Sequence, residues 1–101
     1  MSETTTLHRW DSARYLDSQE AIEHYLQACF EEAGDDPAFI AKALGIVARA
    51  KGMTALADKT GMGRESLYKA LSGQGNPSFG TILKIVRAMG LELYPRVMEQ
   101  G

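Results

Sequence analysis

The chain has 101 residues, of which 45% are hydrophobic and 24% are charged, with a formal net charge of −2. These values fit one soluble globular domain, and no apolar run approaches the roughly 20 residues that a membrane-spanning helix needs. The start, MSETTTLHRW, lacks the basic and apolar regions of a secretory signal, and the single cysteine cannot form an internal disulfide, so we expect a cytoplasmic protein.

Charge is divided unevenly along the chain. Residues 1–41 carry two bases and nine acids, a net −7, whereas residues 42–87 carry eight bases and two acids, a net +6. Because charges act over about 10 Å at ordinary salt, a local excess indicates a partner better than the total does. A solvated lysine-rich surface would explain the basic segment equally well, so charge alone does not decide its function.

The first predicted elements are an N-terminal arm, residues 1–17, and an acidic helical segment, residues 18–36. Ser18 is a predicted N-cap, and Gly34 is expected to end the helix. Between them, apolar residues recur with helical spacing, which predicts one buried stripe. The stripe comprises Ile22, Tyr25, Leu26, Cys29 and Phe30.

Residues 37–90 are predicted to form the core of this single domain. Asp36 is the expected cap of a helix that starts at Pro37 and ends near Lys51–Gly52. Its spacing of apolar residues indicates one inward face. That face comprises Ile40, Ala43, Leu44 and Val47.

Two short helices are predicted next, Thr54–Thr60 and Arg64–Ser72. They are joined by a turn at Gly61, where we expect a positive φ that a side chain would disfavour. The predicted inward residues of the two helices are Leu56, Ala57, Leu67, Ala70 and Leu71.

A loop at residues 72–77, SGQGNP, precedes a final helix that is capped by Ser78 and ended by Gly90. The tail, residues 91–101, begins with LELYPRV, whose alternation predicts a short strand confined to a sheet edge by Pro95. The fold class is therefore predicted as all-α, with one short strand pair from the termini left open. The predicted buried stripe of the final helix is Phe79, Ile82, Leu83, Val86 and Met89.

The spacing of Ala57, Gly61 and Leu67 is typical of a helix-turn-helix. The small residue lets two helices cross closely, the glycine permits a sharp turn, and the leucine anchors the second helix. The exposed start of that second helix is the part that enters the major groove in such proteins. Arg64 is the best candidate for reading guanine, because its planar guanidinium matches two acceptors. The full predicted base-reading set is Gly63, Arg64, Tyr68 and Lys69.

Double-stranded DNA is thus the first predicted partner, and a second set of residues would hold its backbone. The helix-turn-helix spacing alone is weak, because it occurs by chance in many helical proteins. The basic segment and the polar loop around it strengthen the interpretation. The predicted phosphate-binding residues are Lys51, Thr54, Asn76, Ser78 and Lys84.

Residues 47–91 resemble the helix-turn-helix of the lambda-repressor/Cro, or xenobiotic-response-element, family. The longer span from Tyr15 to Leu93 is similar to a narrower group, the addiction-module antidote proteins, through YLDSQEAIEHYL, DDPAFIAKALG, ARAKGMTALA, GRESLYKALS and GNPSFGTILK. The resemblance implies a five-helix lambda-repressor-like domain with an added N-terminal helix. It also implies a type II antitoxin that represses its own operon as a homodimer and binds a small ribonuclease-type toxin.

The chain departs from the broad family at three points. Many members have glutamine at the first position of the first motif helix, where this chain has Met53. Many have a serine cap on the recognition helix, where this chain has Gly63. A further helix that often mediates dimerisation is missing after Gly90, so the dimer surface is expected in the acidic half or in the LELYPRV tail.

The acidic N-terminal half suits a basic partner, because opposite charge speeds encounter. We therefore predict that residues 8–36 contact a small basic toxin, although a solvated helix face would look the same. The predicted toxin-binding residues are Glu20, Glu23, Glu31 and Glu32, with Asp35 and Asp36 beyond them.

No pattern of catalytic residues stands out. His8 and His24 lie far apart without a nucleophile at a suitable turn, and Cys29 is expected to be packed in its apolar stripe. One cysteine and two histidines do not make a zinc site. We predict no enzyme, no catalytic residue, no metal and no cofactor. Two other functions remain open, a stand-alone phage-like repressor and a protein-sequestering module with little DNA binding.

Overall fold

The computed structural model describes residues 16–98, and within that range the chain forms five α-helices and no strand. The all-α prediction is confirmed for this part of the chain. No helix within it is long and apolar enough to cross a membrane. The helices are α1, Gln19–Ala33; α2, Pro37–Lys51; α3, Met53–Thr60; α4, Arg64–Ala70; and α5, Phe79–Ala88.

Three helices begin at the predicted polar caps. The side chains of Ser18, Asp36 and Ser78 each accept a hydrogen bond from the backbone N–H three residues later, at 3.1–3.2 Å. Each bond satisfies an N–H group that the first helical turn leaves without a partner inside the helix. The predicted starts of α1, α2 and α5 are therefore confirmed.

One hydrophobic core joins the five helices. α1 packs along α2, and α3 lies against α2, α4 and α5. Because α3 is at the centre of this arrangement, the core fixes both short helices that carry the candidate site. The largest fully buried side chains are Val47, Leu56, Leu67, Ile85 and Met89.

Two phenylalanines that were predicted to be buried are exposed. Phe79 is 70% exposed and Phe30 is 41% exposed. The buried face of α5 is centred near Ile85 and Met89, and at about 100° per residue Phe79 lies well to one side of it. Phe30 borders an open cleft instead of the core. The prediction also omitted Ile85, which is fully buried.

The predicted strand in the tail is wrong for the part that the structure describes. Residues 91–98 contain no strand, and residues 1–15, the rest of the predicted pair, lie outside the described range. Alternation of apolar and polar residues favours a strand only where a neighbouring strand supplies hydrogen-bond partners. From residue 92 to residue 98, no backbone group bonds to another backbone group of the described chain.

Candidate nucleic-acid interface

The α3–α4 unit, residues 53–70, consists of two short helices joined by a tight turn at Gly61. Gly61 has φ 73°, and its N–H donates to the Ala57 carbonyl at 2.9 Å. Glycine adopts this left-handed conformation without the steric penalty that a side chain brings. The predicted turn is therefore confirmed, and α4 begins three residues later.

The buried side chain of Thr60 stabilises the same turn through hydrogen bonds to the backbone. Its buried hydroxyl donates to the Leu56 carbonyl at 2.8 Å and accepts from the Met62 N–H at 3.3 Å. These bonds join the last turn of α3 to the chain beyond Gly61, so they hold the direction in which α4 leaves. Nothing in the sequence marks this role of Thr60, because a threonine at a helix end is common and the bonds become evident only in the folded turn.

α4 is anchored to the core from beneath. Leu67 is fully buried, as predicted, and Leu71 follows it at the end of the helix. At that point the chain lies close to α2, since a Cβ added at Gly45 would be 3.0 Å from the Leu71 carbonyl oxygen. Gly45 therefore leaves the space in which the end of α4 sits.

The solvent-exposed side of α4 carries three of the predicted base-reading residues. Arg64, Tyr68 and Lys69 are all exposed. At about 100° per residue they span about 140° of the helix surface, which is one continuous face. Within residues 16–98, neither cation forms an ion pair. The structure thus brings these side chains together on a surface where a partner can reach them.

Glu65 belongs to the same face, although it is not among the predicted base-reading residues. It is exposed and lies between Tyr68 and Lys69 around the helix axis. A carboxylate repels phosphate, but it can accept a hydrogen bond from the amino group of cytosine. The signal in the sequence is its helical position, since Glu65 directly follows Arg64 and precedes Tyr68 by three residues on the predicted helix.

Gly63, the fourth predicted base-reading residue, is the N-cap of α4. Its φ of −70° and ψ of 155° suit any residue, and no side chain caps the helix there. A Cβ added at Gly63 would have no other atom within 4 Å. Gly63 therefore offers only backbone atoms, at the exposed start of α4.

Three of the predicted phosphate-binding residues lie on helices. Thr54 is exposed in the first turn of α3, and Lys84 is exposed on α5. Lys51 is half-buried at the end of α2, where its ammonium donates to Oε1 of Gln19 at 2.7 Å. Lys51 is therefore already tied to α1 through one of its three donors.

The other two, Asn76 and Ser78, precede α5. The Ser78 hydroxyl is occupied, since it caps α5 and also donates to the Thr81 hydroxyl at 3.0 Å. Asn76 is exposed and borders an open cleft of about 270 Å³ between α1, α2 and the loop. The cleft is mainly apolar, and its lining includes Phe30, Asp35, Pro37, Ile40, Pro77 and Ile82.

Lys42 is a further cation near this loop, and it is not among the predicted phosphate-binding residues. A Cβ added at Gly73 would lie 2.8 Å from Lys42 Cε, so the lysine stem covers Gly73. Gly73 has φ 83°, which favours glycine there for a second reason. The two residues are far apart in the sequence, and spacing therefore gives no sign of their contact.

The acidic surface predicted to bind a toxin is the solvent side of α1. The helix contains four glutamates and no lysine or arginine, whereas α2 contains three basic residues and no acid. None of these glutamates forms an ion pair with another described residue. All four are exposed, namely Glu20, Glu23, Glu31 and Glu32.

Cys29 is buried on the inner side of α1, one turn after Tyr25. Burial raises the pKa of the Cys29 thiol, and burial is also the main reason that the pKa of Tyr25 is raised to about 12. Both groups are therefore neutral at pH 7. The prediction that Cys29 is packed in the core is confirmed.

Most of this chain is similar in sequence to known proteins. A family model described as "Probable addiction module antidote protein" matches residues 6–97. A protein of Haemophilus influenzae named "Uncharacterized protein" is 44% identical over 89 residues, which cover 88% of this chain and 90% of that protein. No solved structure gives a significant match. The chain thus belongs to the family of probable addiction module antidote proteins.

Proposed function

We propose that this protein is the antitoxin of a type II toxin–antitoxin module. In this role it binds operator DNA as a homodimer, represses its own operon and neutralises a small ribonuclease-type toxin, without enzymatic activity. Family membership supports the antidote role and the toxin partner. The DNA-binding part depends on one observation, the exposed face of α4 that carries Arg64, Tyr68 and Lys69 above a buried Leu67.

In the proposed complex, α3 and α4 act as a lambda-repressor-type helix-turn-helix, and the exposed face of α4 enters the major groove. Arg64 donates two hydrogen bonds to O6 and N7 of guanine. Tyr68, one turn later on the same side, contacts a thymine methyl group, and Lys69 contacts a base edge or a phosphate. Gly63 lets the start of the helix lie close to the DNA, since it has no side chain.

The phosphate contacts in this proposal come from α2, α3, α5 and the loop before α5. Thr54 contributes from the start of α3, and Asn76 and Ser78 contribute from the loop. Lys51 on α2 and Lys84 on α5 add positive charge. The charge distribution supports this arrangement, because α2 and α5 together carry five bases and no acid.

Binding to the DNA upstream of the gene that encodes this chain tests the DNA-binding part of the proposal. Arg64→Ala should weaken operator binding by about 1–3 kcal/mol and weaken binding to a scrambled duplex much less. Fluorescence anisotropy with both duplexes measures the two losses. Ser66→Ala is the control, because Ser66 is exposed at the edge of the same helix. Equal losses of affinity for both duplexes would show that Arg64 contacts phosphate and does not read a base.

Salt dependence separates DNA binding from the protein-sequestering alternative. Lys84→Ala should weaken binding to all duplexes similarly and lower the slope of log affinity against log salt by about 0.9. A wild-type protein that binds no duplex, or whose affinity does not change with salt, would contradict the DNA-binding part of the proposal. The antidote role would then rest on protein sequestration alone.

The acidic surface of α1 is the proposed toxin-binding site, because its exposed glutamates would attract a basic ribonuclease. Replacing all four by lysine should abolish the rescue of growth when the chain is co-expressed with the small basic protein encoded beside it. Asp58→Lys, an exposed reversal on α3, should leave rescue intact. If the α1 variant still rescues growth, the toxin binds elsewhere. A gene with no such neighbour favours a stand-alone repressor.

A further inference from the structure

The tail that follows α5 is exposed but starts from a fixed point. The Leu91 N–H donates to the Val86 carbonyl at 3.1 Å, and the Leu91 side chain packs against the core. Beyond it, the exposed fractions are 76% for Tyr94 and 88% for Val97. Apolar side chains beside unpaired backbone groups form a surface on which a second strand can add.

The order of residues in this tail fits a second copy of itself. In an extended conformation, Leu91, Leu93, Pro95 and Val97 lie on one side, and Glu92, Tyr94 and Arg96 on the other. The opposite charges therefore flank Tyr94 symmetrically. In an antiparallel pair with its two-fold axis at Tyr94, Glu92 of each copy lies opposite Arg96 of the other copy.

Neighbouring registers lack this charge complementarity. A two-fold axis at Leu93 places Glu92 opposite the neutral Tyr94 of the second copy. An axis at Pro95 places Glu92 opposite the neutral Met98. Of these three registers, the one centred on Tyr94 is the one that forms two oppositely charged cross-strand pairs, which stabilise antiparallel strands.

Pro95 is compatible with the same register. Opposed residues in an antiparallel pair alternate between those that exchange hydrogen bonds and those whose N–H groups point away. When the two Tyr94 residues form a hydrogen-bonded pair, Pro95 lies opposite Leu93 in a pair of the second kind. Proline then lacks only a donor that the pair does not use.

We propose that two copies of this protein dimerise through residues 91–97, paired antiparallel about a two-fold axis at Tyr94. Glu92 is available for this pairing, because its contact with Arg87 is 3.8 Å long and both side chains are about 70% exposed. The inference rests on the proposed function in one respect, since it supplies the surface for the proposed homodimer. The dimer interface is then formed by the tail, and α1 stays accessible to another partner.

Charge reversal tests the pairing in the full chain without DNA or toxin. In sedimentation equilibrium, Glu92→Arg and Arg96→Glu should each raise the dimer dissociation constant about tenfold, because each creates two like-charged pairs. The double variant should return to within about threefold of wild type, and mixing the two single variants should give a heterodimer. A monomeric wild type, or a double variant without recovery, would overturn the proposal.

Cysteine cross-linking tests the register. Two Tyr94 positions that face each other lie about 5.5 Å apart, within disulfide range, so Tyr94→Cys should cross-link fastest under mild oxidation. Leu93→Cys is the matched control, since Leu93 faces Pro95 of the second copy and not the other Leu93. The native Cys29 does not compete in the cross-linking, because it is buried. Faster cross-linking at Leu93→Cys would overturn the register. An unchanged far-UV circular dichroism spectrum of every variant, measured at a concentration low enough for all of them to be monomeric, excludes misfolding as the cause.

The dimer and the proposed function can fail separately. A wild-type dimer that binds no operator would contradict the proposed DNA binding and leave the tail pairing intact. Charge-reversed variants that still form dimers as tightly as wild type would contradict the tail pairing, whatever the protein binds.

Discussion

The ammonium of Lys51, at the end of α2, donates a hydrogen bond of 2.7 Å to Oε1 of Gln19, at the start of α1. The amide nitrogen of Gln19 donates in turn to the Met89 carbonyl, at the end of α5, at 3.3 Å. One glutamine side chain thus links three helices. Because Lys51 is also a proposed phosphate contact, its contribution to stability must be measured apart from its contribution to binding.

We expect Lys51→Ala and Gln19→Ala each to lower the free energy of unfolding by about 0.5–1.5 kcal/mol. The double variant should lose less than the sum of the single losses, because both single variants break the same bond. Urea unfolding without DNA measures this coupling. Arg49→Ala, an exposed neighbour on α2, should change stability by less than about 0.5 kcal/mol. Additive losses would show that the bond contributes nothing.

Gly63 and Gly61 should respond oppositely to serine. Gly63→Ser adds a capping hydroxyl at a backbone conformation open to any residue, so it should stabilise the protein by roughly 0.3–1 kcal/mol. Gly61→Ser forces a side chain into the left-handed region and should destabilise by about 1–2 kcal/mol. Thermal or urea unfolding compares the two. Destabilisation by both would mean that Gly63 also needs to be glycine.

The hydroxyl of Thr60 should be essential to the turn. Thr60→Val keeps the shape of the side chain but leaves the Met62 N–H without its partner, which should cost about 1–3 kcal/mol. Thr60→Ser keeps the hydroxyl and should lose clearly less. Urea unfolding of the two variants gives the difference. Equal losses would assign the effect to the methyl group instead of the hydrogen bonds.

Alkaline pH should destabilise α1 through Tyr25 and Cys29. Burial raises both pKa values in the folded protein, that of Tyr25 to about 12, so unfolding releases protons at high pH. The stabilisation is complete below about pH 9 and is lost as the pH rises toward 12. Melting temperatures across this range should fall less steeply for Tyr25→Phe than for wild type or for Tyr68→Phe. Identical profiles would contradict the role of Tyr25.

The sequence predicts those parts of the fold whose causes are local. Ser18, Asp36 and Ser78 cap helices because a side chain bonds to an N–H only three residues away, and Gly61 marks its turn through its own backbone. The stripe of α5 was predicted less well. A helical wheel limits which residues share a face, but neighbouring helices decide that Ile85 is buried and Phe79 exposed.

The candidate site divides in the same way. The exposure of Tyr68 and Lys69 follows from the helical period and one buried leucine, and an arginine such as Arg64 is rarely buried, so the exposure of all three could be expected from the sequence. Contacts between distant segments could not be expected, such as the approach of Gly45 to Leu71. They depend on how whole helices are placed, which no short stretch of sequence encodes.

The packing of α1, which has four acids and no lysine or arginine, along α2, which has three bases and no acid, gives this pair of helices an electric dipole. Near any polyanion, such a dipole experiences a torque before contact, and α1 is turned outward. The protein would therefore orient itself during approach to a duplex, and fewer encounters would occur with α1 facing the DNA. A basic ligand on α1 would weaken that torque as it neutralised the acids, so its binding would change the rate of approach to a polyanion without altering any shape.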